Sequence, residues 1–136
     1  MTFVVPALMS VSIVRLGSPR QVNEGTRIGT VRRPPRGVPK AEFASRNWYD
    51  VWFPNLAPSL ETMKLGLAAE SDRDWAVFVR KYKAEMATPT AKHDITLLAA
   101  LSQTSDFSVG CYCEDEERCH RSILRQLLIG AGAKIR

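Results

Sequence analysis

The sequence predicts an α/β fold, a single compact domain with a small, mainly parallel β-sheet flanked by about four helices. Three features lead to it. Short β-branched runs fill the N-terminal third, helical periodicity follows, and a strand–loop–helix unit closes the chain. With 136 residues, 45% hydrophobic and 24% charged, the chain has the size and composition of one domain with its own core. Neither a metal nor a disulfide is required for folding at this length. Residues 1–10 are expected to form a flexible N-terminal extension, 11–130 the domain and 131–136 a C-terminal tail.

Residues 11–16, VSIVRL, read as a first strand, ended by Gly17, Ser18 and Pro19. Residues 27–32, RIGTVR, read as a second, ended by Pro34, Pro35, Arg36 and Gly37. Aromatic and β-branched residues over 48–53 suggest a third strand, stopped at Pro54. The period then changes from two to 3.6. Ser59 is placed to cap a helix over 60–69, which Gly66 weakens. Ser71 and Asp74 have capping-box spacing ahead of a second helix. Its stripe of Trp75, Phe78, Val79, Tyr82 and Met86 is a core face. Thr88 and Pro89 open a third helix that carries Ile95, Leu98 and Leu101. Residues 107–113 form the last strand, and a helix over 119–129 follows, with Gly130 as its C-cap.

The net charge is +5, and its distribution is uneven. Residues 1–46 hold eight Lys or Arg against two acids, whereas the other ninety residues hold eleven against twelve. An arginine-rich third suits an anionic ligand or nucleic acid, or it forms a solvated loop. The apolar opening, residues 1–14, lacks a positive start and a small-x-small cleavage site, contains Pro6, and falls short of the about 20 residues a membrane span needs. A cytoplasmic protein without membrane contact is expected. Three cysteines within nine residues, with no framework spanning the chain, agree with a reducing compartment.

The chemistry concentrates in residues 111–121, CYCEDEERCHR. In a strand Cys111 and Cys113 share one face. The loop after them lies at a strand C-terminus, where open α/β sheets bind ligands. Cys119, His120 and Arg121 fall at the start of the next helix, whose dipole and free N–H groups favour an anion and a thiolate. The four carboxylates at 114–117 act in the opposite direction, although a solvated turn is the plain account of them. Cys111 and Cys113 also suit simple packing. All three cysteines with His120 have the ligand types for zinc, but one short stretch is unlike two separated ligand pairs. Four residues between Cys113 and Arg118 leave the loop one short of the cysteine phosphatase spacing.

Residues 111–122, CYCEDEERCHRS, resemble the cysteine–histidine–arginine signature of the family known as domain of unknown function 488. RIGTVRRPPRG (27–37), WFPNLAPS (52–59) and WAVFVRKY (75–82) with Glu85 and Met86 resemble further segments in the same order. The likeness covers about residues 12–129 and implies a compact α/β fold with no established activity. One branch of that family lacks the cysteine–histidine pair. The Pro-Arg-Gly turn, the tryptophan and the Leu-Ala-Pro-Ser segment are common to both branches, so Arg33, Arg36, Trp52 and Ser59 join the candidate pocket residues. A solvated arginine, a core tryptophan and a helix cap are their structural accounts.

The leading expectation is a thiol-dependent enzyme acting on a phosphorylated or other anionic small molecule, or a nucleotide. Cys119 would be its nucleophile or redox thiol and His120 its proton partner. Arg121, Arg118, Arg33 and Arg36 would bind the anion, with Trp52, Ser59 and Cys113 nearby. An accessory domain that binds nucleic acid through the arginines and Trp48, Tyr49 and Trp52 is the alternative. A zinc or protein-interaction module built on Cys111, Cys113, Cys119 and His120 is the third. No cofactor other than that zinc is expected.

Overall fold

The computed structural model describes residues 9–136. The N-terminal extension lies outside the described residues for positions 1–8. Four strands, β1 (Val11–Arg15), β2 (Thr26–Gly29), β3 (Val51–Trp52) and β4 (Phe107–Cys111), form one sheet in the order β1-β4-β2-β3. Every pairing is parallel. Four α-helices accompany it: α1 (Leu60–Ala68), α2 (Asp72–Met86), α3 (Pro89–Leu101) and α4 (His120–Gly130). The last strand in sequence is thus central, with Val11 and Thr26 both opposite Phe107, and every residue of β4 is buried. A strand covered on both faces needs no polar alternation, which FSVGC lacks.

The elements follow local rules. Ser59 accepts from Thr62 N at the head of α1, and Ser71 accepts from Asp74 N at the head of α2. Phe78, Tyr82 and Met86 of α2 enter the main core with Ile95 and Leu98 of α3 and Leu124 of α4. Tyr82 keeps its hydroxyl satisfied by donating to Leu56 O at 2.7 Å. Leu101 instead is 39% exposed at the end of α3. Thr88 precedes Pro89 without a side-chain cap; its hydroxyl donates back to Glu85 O.

All four strands are shorter than their sequence patterns, β1 by the single residue Leu16. β2 stops at Gly29, although Thr30 N still donates to Gly110 O at 3.0 Å. β3 keeps two residues, because Trp48 and Tyr49 turn into a second cluster with Leu16, Val31, Cys111 and Cys119. β4 ends at Cys111, so Tyr112 and Cys113 belong to the loop. The α4 terminus also corrects the sequence expectation. Gly130 remains helical, and the left-handed residue is Gly132 at φ +95. Ala133 N donates to Leu128 O and Gly132 N to Ile129 O, which is a Schellman closure shifted by two residues. Beyond it Ile135 bridges Val11 beside β1. No helix among the described residues is long and apolar enough to cross a membrane.

A buried ion pair ties these pieces together. Arg27, 0% exposed, donates from Nε and Nη2 to both oxygens of Glu24 at 2.7 and 2.8 Å. Its Nη1 reaches Ser18 O and Asn47 O, both at 2.8 Å. Ser108 Oγ on β4 donates to Glu24 Oε2 at 2.9 Å. Burial works to raise the Glu24 pKa, but the hydrogen bonds from Arg27 and Ser108 and the charge of Arg27 outweigh it and hold the carboxyl below its usual value. Glu24→Ala would leave the guanidinium buried without its partner, so stability should fall by about 3–5 kcal/mol. Urea unfolding measures this, and a loss under about 1 kcal/mol would contradict the assignment. The native contribution is complete above the unfolded carboxyl pKa of about 4.3 and disappears as pH falls through the lower folded value.

Candidate functional site

Because all four strands are parallel, their C-terminal ends share one edge. There the segments after β1, β2 and β4 meet the start of α4 and enclose a cavity of about 870 Å³. Its wall includes Leu16 after β1, Val31 to Arg36 after β2, Cys111 to Cys113 at the end of β4, and Arg118 to His120. Met63, Gly66 and Leu67 of α1 and Trp75 and Phe78 of α2 form another side of it. Gly66 matters here: a Cβ would sit 2.8 Å from Phe78 Cδ2, so glycine lets α1 lie close against α2.

The three thiols are free and gathered at the floor. Cys111 and Cys113 Sγ are 3.8 Å apart, and Cys119 Sγ lies 3.8 Å from His120 Nδ1. His120 Nε2 sits 2.8 Å from Thr30 O, which can only accept, so the ring hydrogen is on Nε2 and Nδ1 faces Cys119. Thr30 Oγ1 lies 3.3 Å from the same nitrogen. A thiol, a base and an orienting carbonyl thus stand in line. Arg121 completes the group from behind. It is 3% exposed, with Nη2 donating to Cys113 O at 2.6 Å and Nε to Cys119 Sγ at 3.4 Å.

The sulfurs divide the charge unequally. Hydrogen bonds from Cys111 and Cys119, with the nearby charge of Arg121, overcome burial and pull the Cys113 thiol down to about 3. Cys111 is pushed up, first by its hydrogen bonds to Cys113 and Cys119 and then by burial. Cys119 is lowered, chiefly by the hydrogen bond with Cys111, with help from His120 and against Cys113 and burial. Cys119 is only 2% exposed, whereas Cys113 is half-buried and is the most accessible of the three. Cys111, Cys119 and His120 also place their donor atoms within 4.8 Å of one another, a set able to hold a metal ion.

Around this floor the wall carries Arg15, Arg32, Arg33, Arg36 and Arg118 and, among the described residues, no carboxylate. The acidic run is turned elsewhere. Glu116 forms a forked pair with Arg125 at 2.7 and 2.8 Å, and Asp115 caps a short 3-10 turn over Glu116–Arg118. Glu114 lies exposed, 3.5 Å from Arg15.

Cys111, Cys113, Cys119, His120, Arg118, Arg33 and Arg36 therefore converge on one cavity. Three other candidates do not line it. Arg121 is packed beneath the thiols. Ser59 caps α1 and donates to Glu85 at 2.6 Å, so its role here is structural. Trp52, 44% exposed, borders a separate cavity of about 410 Å³ and supports the β2 loop by donating from Nε1 to Val31 O at 2.8 Å. Sequence reasoning missed Thr30, Arg15 and the α1 wall. Thr30 had a detectable signal as a polar residue inside a β-branched run, and Arg15 had one in its place at a strand end. Nothing local marked Met63 or Leu67 as wall rather than core.

A parallel α/β domain with a thiol–imidazole cluster at the strand C-termini, under an arginine-lined cavity, is the class that this fold and site define. The chain belongs to the DUF488 family: the model DUF488-N3a, described as the active DUF488-N3 subclade, matches residues 11–132. No curated protein and no solved structure matches it.

In chelator-treated, reduced protein, iodoacetamide at limiting dose should label Cys113 before Cys119 and Cys111, and labelling should persist at pH 6, where an ordinary thiol with pKa about 8.5 is almost unreactive. Peptide mass spectrometry reads the order. Equal labelling of all three would contradict both the shielding and the charge distribution.

Proposed function

We propose that the protein is a thiol-dependent enzyme of a reducing, cytoplasmic compartment that acts on an anionic small molecule bound in this cavity. The observation that carries the reading is the position of Cys113, the most accessible of the three thiols, on the floor of a cavity whose charged wall residues, among the described residues, are cationic. Family membership supports it too, since the matching subclade is described as active.

In this reading the Cys113 thiolate supplies the electron pair that bonds to the electrophilic atom of the substrate. The leaving group departs with its bonding pair, and water then cleaves the sulfur-linked intermediate and restores the thiolate. Cys119, almost without exposure, serves with His120 as the hydrogen-bonded pair behind the nucleophile rather than as the attacking sulfur. Arg121 is a counter-charge to the sulfurs, and the wall arginines bind the anion. Nucleic-acid binding has less support, because Tyr49 is buried and Trp48 packs against Tyr112 at 5.8 Å, leaving Trp52 as the exposed ring of the three.

Turnover of a panel of organic phosphates and carboxylates tests this. Cys113→Ser should reduce kcat/KM at least about 100-fold, and Cys119→Ser should reduce it less. Full activity of Cys113→Ser would end the nucleophile assignment.

One observation favours a second reading, a zinc centre. Cys111 Sγ, Cys119 Sγ and a ring nitrogen of His120 lie within 4.8 Å of one another, a spacing that lets them share one zinc ion. The bond from His120 Nε2 to Thr30 O is also the kind that orients a ligating imidazole. Metal analysis of protein purified under reducing conditions separates the two: one zinc per chain, lost in Cys119→Ser, supports the centre, and a metal-free active protein rejects it.

A further inference from the structure

The five wall arginines are not equivalent. Arg32 is committed to the backbone, with Nε donating to Pro58 O and Nη2 to Ala57 O, both at 3.1 Å. Arg118 pairs with Asp72 and lies 5.6 Å over the Trp75 ring. Arg15 leans towards Glu114. Arg33 and Arg36 have no ion pair or side-chain hydrogen bond among the described residues, and both are exposed at the cavity rim.

Their loop is nevertheless held. Pro34 and Pro35 fix two φ angles between them, and Pro35 is buried. Tyr112 donates to Arg33 O at 2.8 Å, and Trp52 donates to Val31 O. Two free guanidinium forks on a restrained loop suit a dianionic head with several equivalent oxygens. The rest of the wall is of another kind. Met63, Trp75, Phe78 and Pro58 form an apolar surface, and Leu67, 75% exposed, stands over it. A sugar ring against such a surface would lose hydrogen bonds to water without replacement, whereas an apolar group would gain from burial.

We infer that the cavity takes an organic phosphate with an apolar body, its head held by Arg33 and Arg36 and its alkyl or aryl body laid along Met63, Leu67 and Trp75. The inference rests on the cavity being the substrate site of the proposed enzyme, and it names the substrate class for that site. A nucleotide is the competing ligand that the apolar wall disfavours.

Calorimetric titration of Cys113→Ser protein, which removes the proposed nucleophile, tests binding apart from turnover. The probes are inorganic phosphate, phenyl phosphate and adenosine monophosphate. Phenyl phosphate should bind at least about tenfold tighter than inorganic phosphate, and tighter than the nucleotide. Arg33→Ala with Arg36→Ala should weaken phenyl phosphate at least about tenfold with an unchanged melting temperature. Leu67→Asp should remove most of the preference for phenyl over inorganic phosphate. Equal affinity for the two phosphates, tightest binding of the nucleotide, or no binding of any probe would each overturn the inference. Binding as expected, with wild-type turnover unaffected by Cys113→Ser, would instead reject the thiol mechanism and leave the ligand class standing.

Discussion

The buried contact between Glu24 and Arg27 is the constraint on which the arrangement of this domain depends. β1 and β2 are consecutive in sequence yet lie on opposite sides of β4, so the chain between them must cross the sheet without a helix to define its path. Arg27 supplies that definition by binding Ser18 from the crossover, Asn47 from the segment before β3 and Glu24 from its own loop. Glu24 adds Ser108 of β4. Hydrophobic burial is non-directional and would tolerate other paths. A desolvated guanidinium requires all its donors to be met, which leaves few arrangements free of a large penalty.

The functional edge follows from this frame. Inserting β4 between β1 and β2 brings three strand ends to one place, and Cys111 arrives on the central one, with Cys113 and Cys119 in the segment between it and α4. His120 then bonds Thr30 after β2, linking the start of α4 to a neighbouring strand across the site. The cluster is therefore held by backbone carbonyls on two elements, with Arg121 securing the loop between them. Charge is sorted by the same geometry. Glu116 turns to Arg125, Asp115 caps its own turn, and the side of the loop facing the cavity is left to arginine.

The basic N-terminal third resolves into separate roles that its composition could not distinguish. Arg27 is core and Arg20 forks onto Asp50 at 2.8 and 2.9 Å. Arg32 bonds the carbonyls before α1. Only part of the charge excess faces a possible ligand, chiefly Arg33 and Arg36. An arginine count therefore overstates a binding surface when carboxylates and carbonyls distant in sequence lie close in space.

By itself the sequence determined the α/β class, the four helices with their Ser59 and Ser71 caps, the core stripe of α2 and the short stretch that carries the thiols. Each of these depends on side-chain periodicity or on contacts a few residues apart. Only the tertiary structure decided the central place of β4, the two-residue shift of the α4 closure to Gly132, and the shortening of β3. It alone separated buried Cys119 from accessible Cys113, moved Arg121 beneath the thiols, and drew Arg33 and Arg36 to the same cavity. These outcomes depend on desolvation and on partners distant in sequence, as with the ninety residues between Thr30 and His120. No local pattern of residues encodes which of three neighbouring cysteines is the most exposed in the cavity, because that is fixed by what packs over the other two.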